Sequence, residues 1–146
     1  DVCSSDLTDR AYKSQIQDYI QRHHLKAIGF SFNKQDYSWM QEIQNMGPLE
    51  WLWLIDSADV VFTNSYHATI LSLIFHTPFF TFVRFAKNDP ICQNSRLEQL
   101  NQYFELSDYF VNETIPDIGV YPFEKFEERL PKLRSKANKY LKQNIK

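Results

Sequence analysis

The residues best suited to chemistry are Thr63-Asn64-Ser65-Tyr66-His67, set between the apolar run Val60-Val61-Phe62 and a second run starting at Ile70. If the first run is a strand and the second a helix, these residues occupy the helix start. Backbone N–H groups there lack intrahelical acceptors, and the helix dipole adds partial positive charge, so an anion can dock. Ser65 can cap that helix, or its hydroxyl can touch a phosphate. His67 falls in the first turn, where an imidazole can donate to a phosphate or carry a proton near neutral pH. By pattern alone the same histidine also reads as a structural residue of an apolar helix. A second polar stretch runs from Arg84 to Arg96 and holds Arg84, Lys87, Asn94 and Arg96. Its cations would suit a phosphorylated, carboxylated ligand, although a solvated surface loop has the same composition. Cys92 has no base beside it in sequence and reads as an inert thiol. Trp39, Trp51 and Trp53 could stack on a sugar or simply pack. His23-His24 reads as a helix cap or a solvent-facing pair.

The elements that must position these groups follow from periodicity. Tyr12, Ile16, Tyr19, Ile20 and His23 recur at helical spacing, predicting an amphipathic helix over 9–23. Ala27, Ile28, Phe30 and Phe32 predict a short strand over 25–32. Pro48 in a first-turn position opens a helix reaching Ala58. Residues 59–63 carry Val60, Val61 and Phe62, a continuous apolar run, as in a strand buried on both faces. A helix over 65–76 is apolar nearly all round and therefore expected to be deeply packed. Pro78 ends it, and 79–83 is the next strand. Ser95 can cap a helix carrying Leu97, Leu100 and Phe104. The last helix places Phe123, Phe126, Leu130, Leu133, Ala137 and Tyr140 on one stripe, with Pro131 expected to kink or restart it. Helices alternating with strands predict a doubly wound α/β domain with a parallel sheet, whose ligands bind beyond the carboxyl ends of the strands. Both chemistry-bearing stretches occupy such positions.

Bulk properties narrow the classes. The chain has 146 residues, 43% hydrophobic and 23% charged, with a net charge of -2. That is one domain's worth of packed core, and no concentrated basic face for nucleic acid is apparent. The lysines from Lys132 to Lys146 read as the solvated face of a terminal helix. Two cysteines, Cys3 and Cys92, make no disulfide framework, and no CxxC or HxxxH spacing suggests a metal; a reducing compartment fits best. The longest apolar run is too short to span a bilayer. Residues 1–7, Asp1-Val2-Cys3-Ser4-Ser5-Asp6-Leu7, resemble the translation of a common sequencing adapter. They are expected to stand outside the fold, with 8–146 forming the domain and more protein lying upstream.

Three stretches carry a family resemblance. Gly47-Pro48-Leu49-Glu50-Trp51-Leu52, Ile55-Asp56-Ser57-Ala58-Asp59-Val60-Val61 and Thr63-Asn64-Ser65-Tyr66-His67-Ala68 resemble the polysaccharide pyruvyl transferase family in order and spacing. Pro78-Phe79 and Asn94-Ser95-Arg96-Leu97 extend the likeness over roughly 47–106. The resemblance implies the C-terminal Rossmann-like half of a two-domain, GT-B-like bacterial enzyme, with the active site between the halves. It implies pyruvyl transfer from phosphoenolpyruvate to hydroxyls of a sugar in a cell-surface polysaccharide or its precursor, forming a pyruvate ketal. The donor is a substrate, and no cofactor or metal is implied. The acceptor would be lipid-linked, nucleotide-linked or polymeric, and the setting cytoplasmic, at the inner face of the membrane. His67 would be the general acid/base or a ligand of the donor phosphate. Ser65 and the backbone of Tyr66 to Ala68 would hold the phosphate, with Asn64 and Asn94 beside it. Arg84, Lys87 and Arg96 would meet phosphate or carboxylate, Lys87 first, since the family tends to place a base about twenty positions after the histidine. Tyr66 stands where Phe is usual. Ala68 stands where Gly is frequent, and its methyl is expected close to the phosphate. Without an upstream domain the fragment is expected to be inactive.

Two other functions fit the same pattern. A GT-B glycosyltransferase would use the helix start for a nucleotide-sugar diphosphate, though that helix is filled with Leu, Ile and Phe rather than glutamates. A non-catalytic sugar- or partner-binding module would keep the fold and lose the reaction.

Overall fold

The computed structural model describes residues 10–29, 39–43, 45–82, 94–111, 114–117, 119 and 121–145. Its centre is a sheet of three parallel strands in chain order: β3 (Val61–Thr63), β4 (Phe79–Phe82) and β5 (Phe110–Val111). Parallel neighbours cannot be joined by a hairpin, so each pair needs a crossover. Helix α3 (Tyr66–Phe75) links β3 to β4. Helix α4 (Asn94–Phe104) and a 3-10 turn at Ser107–Tyr109 lie between β4 and β5. Consecutive residues point to opposite faces of a strand. Val61 and Phe79 enter a core with Ile55, Leu73, Leu100, Phe104 and Phe126. Val60, Phe62, Phe80, Phe82 and Val111 face Ile16 and Tyr19 on the other side. The predicted strand buried on both faces is therefore present, and the chain is α/β with parallel strands.

Helix α1 (Arg10–Arg22) covers the second face. Tyr12 packs on Phe82 at 4.6 Å, and Tyr19 meets Phe62 and Phe80 edge-on at 5.3 and 5.5 Å. Helix α1 thus runs opposite to the strands and starts near their carboxyl ends. Helices α2 (Pro48–Ser57), α3, α4 and α5 (Phe123–Asn144) contribute to the first face. A second, two-stranded parallel sheet pairs β1 (Ile28–Gly29) with β2 (Gln41–Glu42). A Cβ at Gly29 would meet the sulfur of Met40, so a larger residue there requires that flexible side chain to shift. Burial pushes the Tyr121 phenol well above its ordinary range, with neighbouring Tyr19 adding to the shift.

Three helices close on non-glycine residues with left-handed backbone: His24 (φ 54), His76 (φ 57) and Glu105 (φ 57). Each closure returns an N–H to a late carbonyl, as in Leu25 N to Ile20 O at 3.0 Å and Thr77 N to Ser72 O at 2.9 Å. Two of the three side chains then hold α5. The His76 ring pairs with Glu127 at 3.1 Å and stacks on Phe123. Glu105 meets Lys125 at 3.0 Å and also Arg129, whose guanidinium donates to Tyr103 O at 2.8 Å. At the far end of α1, Arg22 donates to Asp117 at 2.8 Å.

Several expectations need correction. Strands β2 and β5 were not anticipated, and each is only two residues long. Ser95 lies inside α4 rather than capping it, since the helix already begins at Asn94. Helix α5 runs through Pro131 without restarting; the proline costs the hydrogen bond its missing N–H would have made. Helix α3 is buried along Ala68, Thr69, Ser72 and Leu73, but Ile74 is 48% exposed, so it is not packed all round. The expected strand residues Phe30, Phe32 and Val83 lie outside the described residues.

Arg129, then Lys125, hold the Glu105 carboxyl below its ordinary range, and Arg22, then His23, do the same for Asp117. A depressed carboxylate contributes stability above its unfolded pKa and loses it as pH falls through the folded value. Thermal melts between about pH 6 and pH 3 should therefore show a flatter acid limb for Glu105→Gln than for the wild type. Parallel curves would mean that the Glu105 ion pairs contribute nothing to folding.

Candidate functional site

The parallel register sets Thr63 opposite Thr81 and Phe82 opposite Val111, so all three strands open on one edge. At that edge β3 passes into α3 through Asn64 and Ser65. The junction is built from hydroxyls. Thr63 Oγ1, fully buried, accepts from Ser65 N at 3.0 Å. Ser65, with extended backbone (φ -92, ψ 128), is the N-cap, and its Oγ accepts from Ala68 N at 3.5 Å. Thr69 N and Thr69 Oγ1 both donate to Ser65 O, at 3.0 and 2.9 Å. The Thr69 hydroxyl also meets that of Thr81 in β4 at 2.9 Å, inside the core. The start of α3 is thereby fixed to the neighbouring strand.

The predicted site residues separate by environment. His67 is exposed, on the outer side of the first turn, with its ring edge-on to Tyr66 at 5.6 Å. Tyr66 is half-buried against the core, and Asn64 is buried at the end of β3. Ala68 differs from expectation. Its methyl is fully buried in the core cluster rather than beside a ligand, because position 68 faces the sheet. Its N–H is taken by the Ser65 cap. The helix-start N–H groups left without an intrahelical partner are therefore those of Tyr66 and His67. Helix α4 must run back from the carboxyl edge to reach β5, so its start faces the same edge. Arg96 is exposed in that first turn, while Asn94 is its first residue. Arg84, Lys87 and Cys92 lie outside the described residues.

The three tryptophans do not form one platform. Trp51 is half-buried against the α2–α3 core and its indole N–H has no acceptor among the described residues. Trp53 is two residues on, about 200° around the helix, and 65% exposed. Trp39 packs on the opposite face of the sheet. No group of three or more His, Cys, Asp or Glu gathers among the described residues. Sequence reasoning named Thr63 without a structural role, and it missed Thr69 and Thr81. Their signal was present as hydroxyls placed inside otherwise apolar runs, where a buried polar group must find a partner.

The family model described as polysaccharide pyruvyl transferase matches residues 4–84, more than half of the chain. The chain belongs to the polysaccharide pyruvyl transferase family. No curated protein and no solved structure matches it. The match to the pyruvyl transferase model takes in α1 through β4 and so includes the whole β3–α3 junction. It reaches further upstream than the resemblance read on 47–106, and it ends before Asn94 and Arg96. In this pyruvyl transferase chain, the junction presents the helix-start N–H groups of Tyr66 and His67 with the exposed imidazole in the same first turn.

The hydroxyl scaffold can be tested by denaturation. Ser65→Ala should cost about 1 kcal/mol through the lost cap. Thr69→Val should cost about 1–3 kcal/mol, because the Thr81 hydroxyl is left buried without its partner. The double variant Thr69→Val/Thr81→Val should recover most of that loss. A double variant as unstable as the sum of the singles would show that the two hydroxyls do not interact.

Proposed function

We propose that the chain is the C-terminal Rossmann-like part of a GT-B-like enzyme that transfers a pyruvyl group from phosphoenolpyruvate to a sugar. The acceptor would belong to a cell-surface polysaccharide or its lipid- or nucleotide-linked precursor, met in the cytoplasm at the inner face of the membrane. One observation carries the reading: the pyruvyl transferase match spans a capped helix start, open to an anion, with His67 exposed beside it.

The chemistry balances without an oxidant, reductant or cofactor. A proton adds to the methylene carbon of phosphoenolpyruvate, making it a methyl, while a first sugar oxygen bonds to C2 and sheds its own proton. The bond from C2 to the phosphate oxygen then breaks, and phosphate leaves with the electron pair. A second hydroxyl oxygen closes the ketal at C2, and its proton passes to the departing phosphate. His67 would move one of these protons or hold the phosphate. The N–H groups of Tyr66 and His67, oriented by the Ser65 cap, would face the phosphate, where fixed donors act on developing charge. Asn64, just before the cap, and Asn94, at the start of α4, would lie beside the phosphate. Arg84, Lys87 and Arg96 would balance the phosphate and carboxylate, with Lys87 the leading candidate. An upstream domain would bring the acceptor.

Calorimetric titration of the two-domain enzyme proposed above tests the donor. Saturable phosphoenolpyruvate binding, weakened in Lys87→Ala, is expected. Ser65→Asp should keep the cap and the fold yet abolish donor binding, because a carboxylate would occupy the anion's place. Binding of nucleotide sugars instead would assign a glycosyltransferase, and binding of neither an inert module. His67→Ala should lower turnover by at least ~100-fold. Wild-type turnover in that variant would remove His67 from the mechanism.

A further inference from the structure

Charge is divided unevenly along the chain. Six of its 16 Lys and Arg fall in residues 131–146, which contain none of its 18 Asp and Glu. Residues 131–146 therefore carry +6, and residues 1–130 carry -8. The basic part is the rear of α5. Phe126 is buried, and Leu130 and Leu133 pack against the core, so the front of the helix is seated on the domain. Past Leu133 the same apolar stripe continues through Ala137, Tyr140 and Leu141 with no described residue packed on it: Tyr140 is 65% exposed and Leu141 47%, and Ile145, just past the helix end, is 68% exposed. Residues 134–144 extend the helix by about 16 Å. Arg134 and Lys136 flank the stripe, and Lys139 and Lys142 lie further round. Lys132 has a distant partner in Glu128 at 3.9 Å, but the other four form no ion pair among the described residues.

We propose that this rear half of α5 docks the protein on an anionic lipid surface. A solvated helix face, the reading that lysine content alone suggests, does not account for exposed Tyr140 and Leu141 in line with the core stripe. A helix with an apolar stripe between flanking cations lies in the interface, its aliphatic and aromatic groups in the acyl boundary and its cations at the headgroups. A polyanion such as nucleic acid would use the cations but leave the apolar stripe unsatisfied. A second copy of the chain would cover the stripe while bringing two clusters of like charge together. Neither the donor chemistry nor His67 enters the argument, so it stands apart from the proposed reaction.

Flotation of the full chain with vesicles tests the proposal. Binding is expected to equal parts phosphatidylcholine and phosphatidylglycerol, not to phosphatidylcholine alone, and should weaken as salt screens the headgroups. Arg134→Gln/Lys136→Gln should reduce partitioning about 30-fold, from roughly 1 kcal/mol per cation near an anionic surface. Tyr140→Ser/Leu141→Ser should also reduce it; all four positions lie beyond the seated part of α5, and circular dichroism would verify that the fold is kept. Equal binding to both vesicles, no binding, or indifference to either pair of substitutions overturns the proposal. So does sedimentation showing self-association that Tyr140→Ser/Leu141→Ser abolishes, or nucleic-acid binding that the same pair leaves unchanged.

Discussion

The backbone pairing of β3, β4 and β5 governs most of what surrounds it. Three strands running the same way must each be followed by a return crossing, and those crossings must cover the sheet. Both faces are then buried, so the strands carry Val and Phe almost without interruption. Their carboxyl ends also fall on one edge, and every chain segment leaving the sheet there does so at a helix start or a loop. A site at the β3–α3 junction is therefore a product of sheet direction before it is a product of any single residue. The strands are short, at two to four residues each, so the sheet relies on its covering helices rather than on long ladders.

Within that frame, hydroxyls do the fine positioning. Thr63, Ser65, Thr69 and Thr81 form a connected set that spans the strand end, the helix cap and the next strand. Each hydroxyl satisfies a polar group that burial would otherwise leave unpaired, and together they fix where the first turn of α3 begins. His67 and the N–H groups beside it inherit their placement from this set. The protonic chemistry proposed for the site thus rests on Thr63, Thr69 and Thr81, which lie buried behind the cap.

Much of this was legible in the amino-acid order, and the failures have physical causes. Helices α1 and α2 could be read from 3.6-residue spacing and from Pro48, β3 and β4 from unbroken apolar runs, and the Ser65 cap from its place between the two periods. Strand β5 could not, because Phe110-Val111 is too short for alternation to register and exists only through its pairing with β4. The continuity of α5 across Pro131 depends on packing of Phe126 and Leu130, which outweighs one lost hydrogen bond. Ala68 drew attention through the family resemblance, and its methyl turns to the core because adjacent helical residues are about 100° apart and face different surroundings. The separation of Trp51 from Trp53 has the same origin. Arg84 and Lys87 were legible only as charge in a polar stretch, and they lie outside the described residues.

His76 and Glu105 each do two things that a single glycine cannot do together. As left-handed helix ends they bear a backbone cost of about 1–2 kcal/mol relative to a residue without a Cβ. As side chains they reach α5 and hold its seated half. Drift to glycine at either position would relax the local turn while releasing the terminal helix, so the two effects would offset in a global melt. Such a change would pass nearly unseen in overall stability yet alter how freely the end of α5 swings. The choice of residue at two inconspicuous turns therefore bears on how a helix twenty or more positions away in the chain is held.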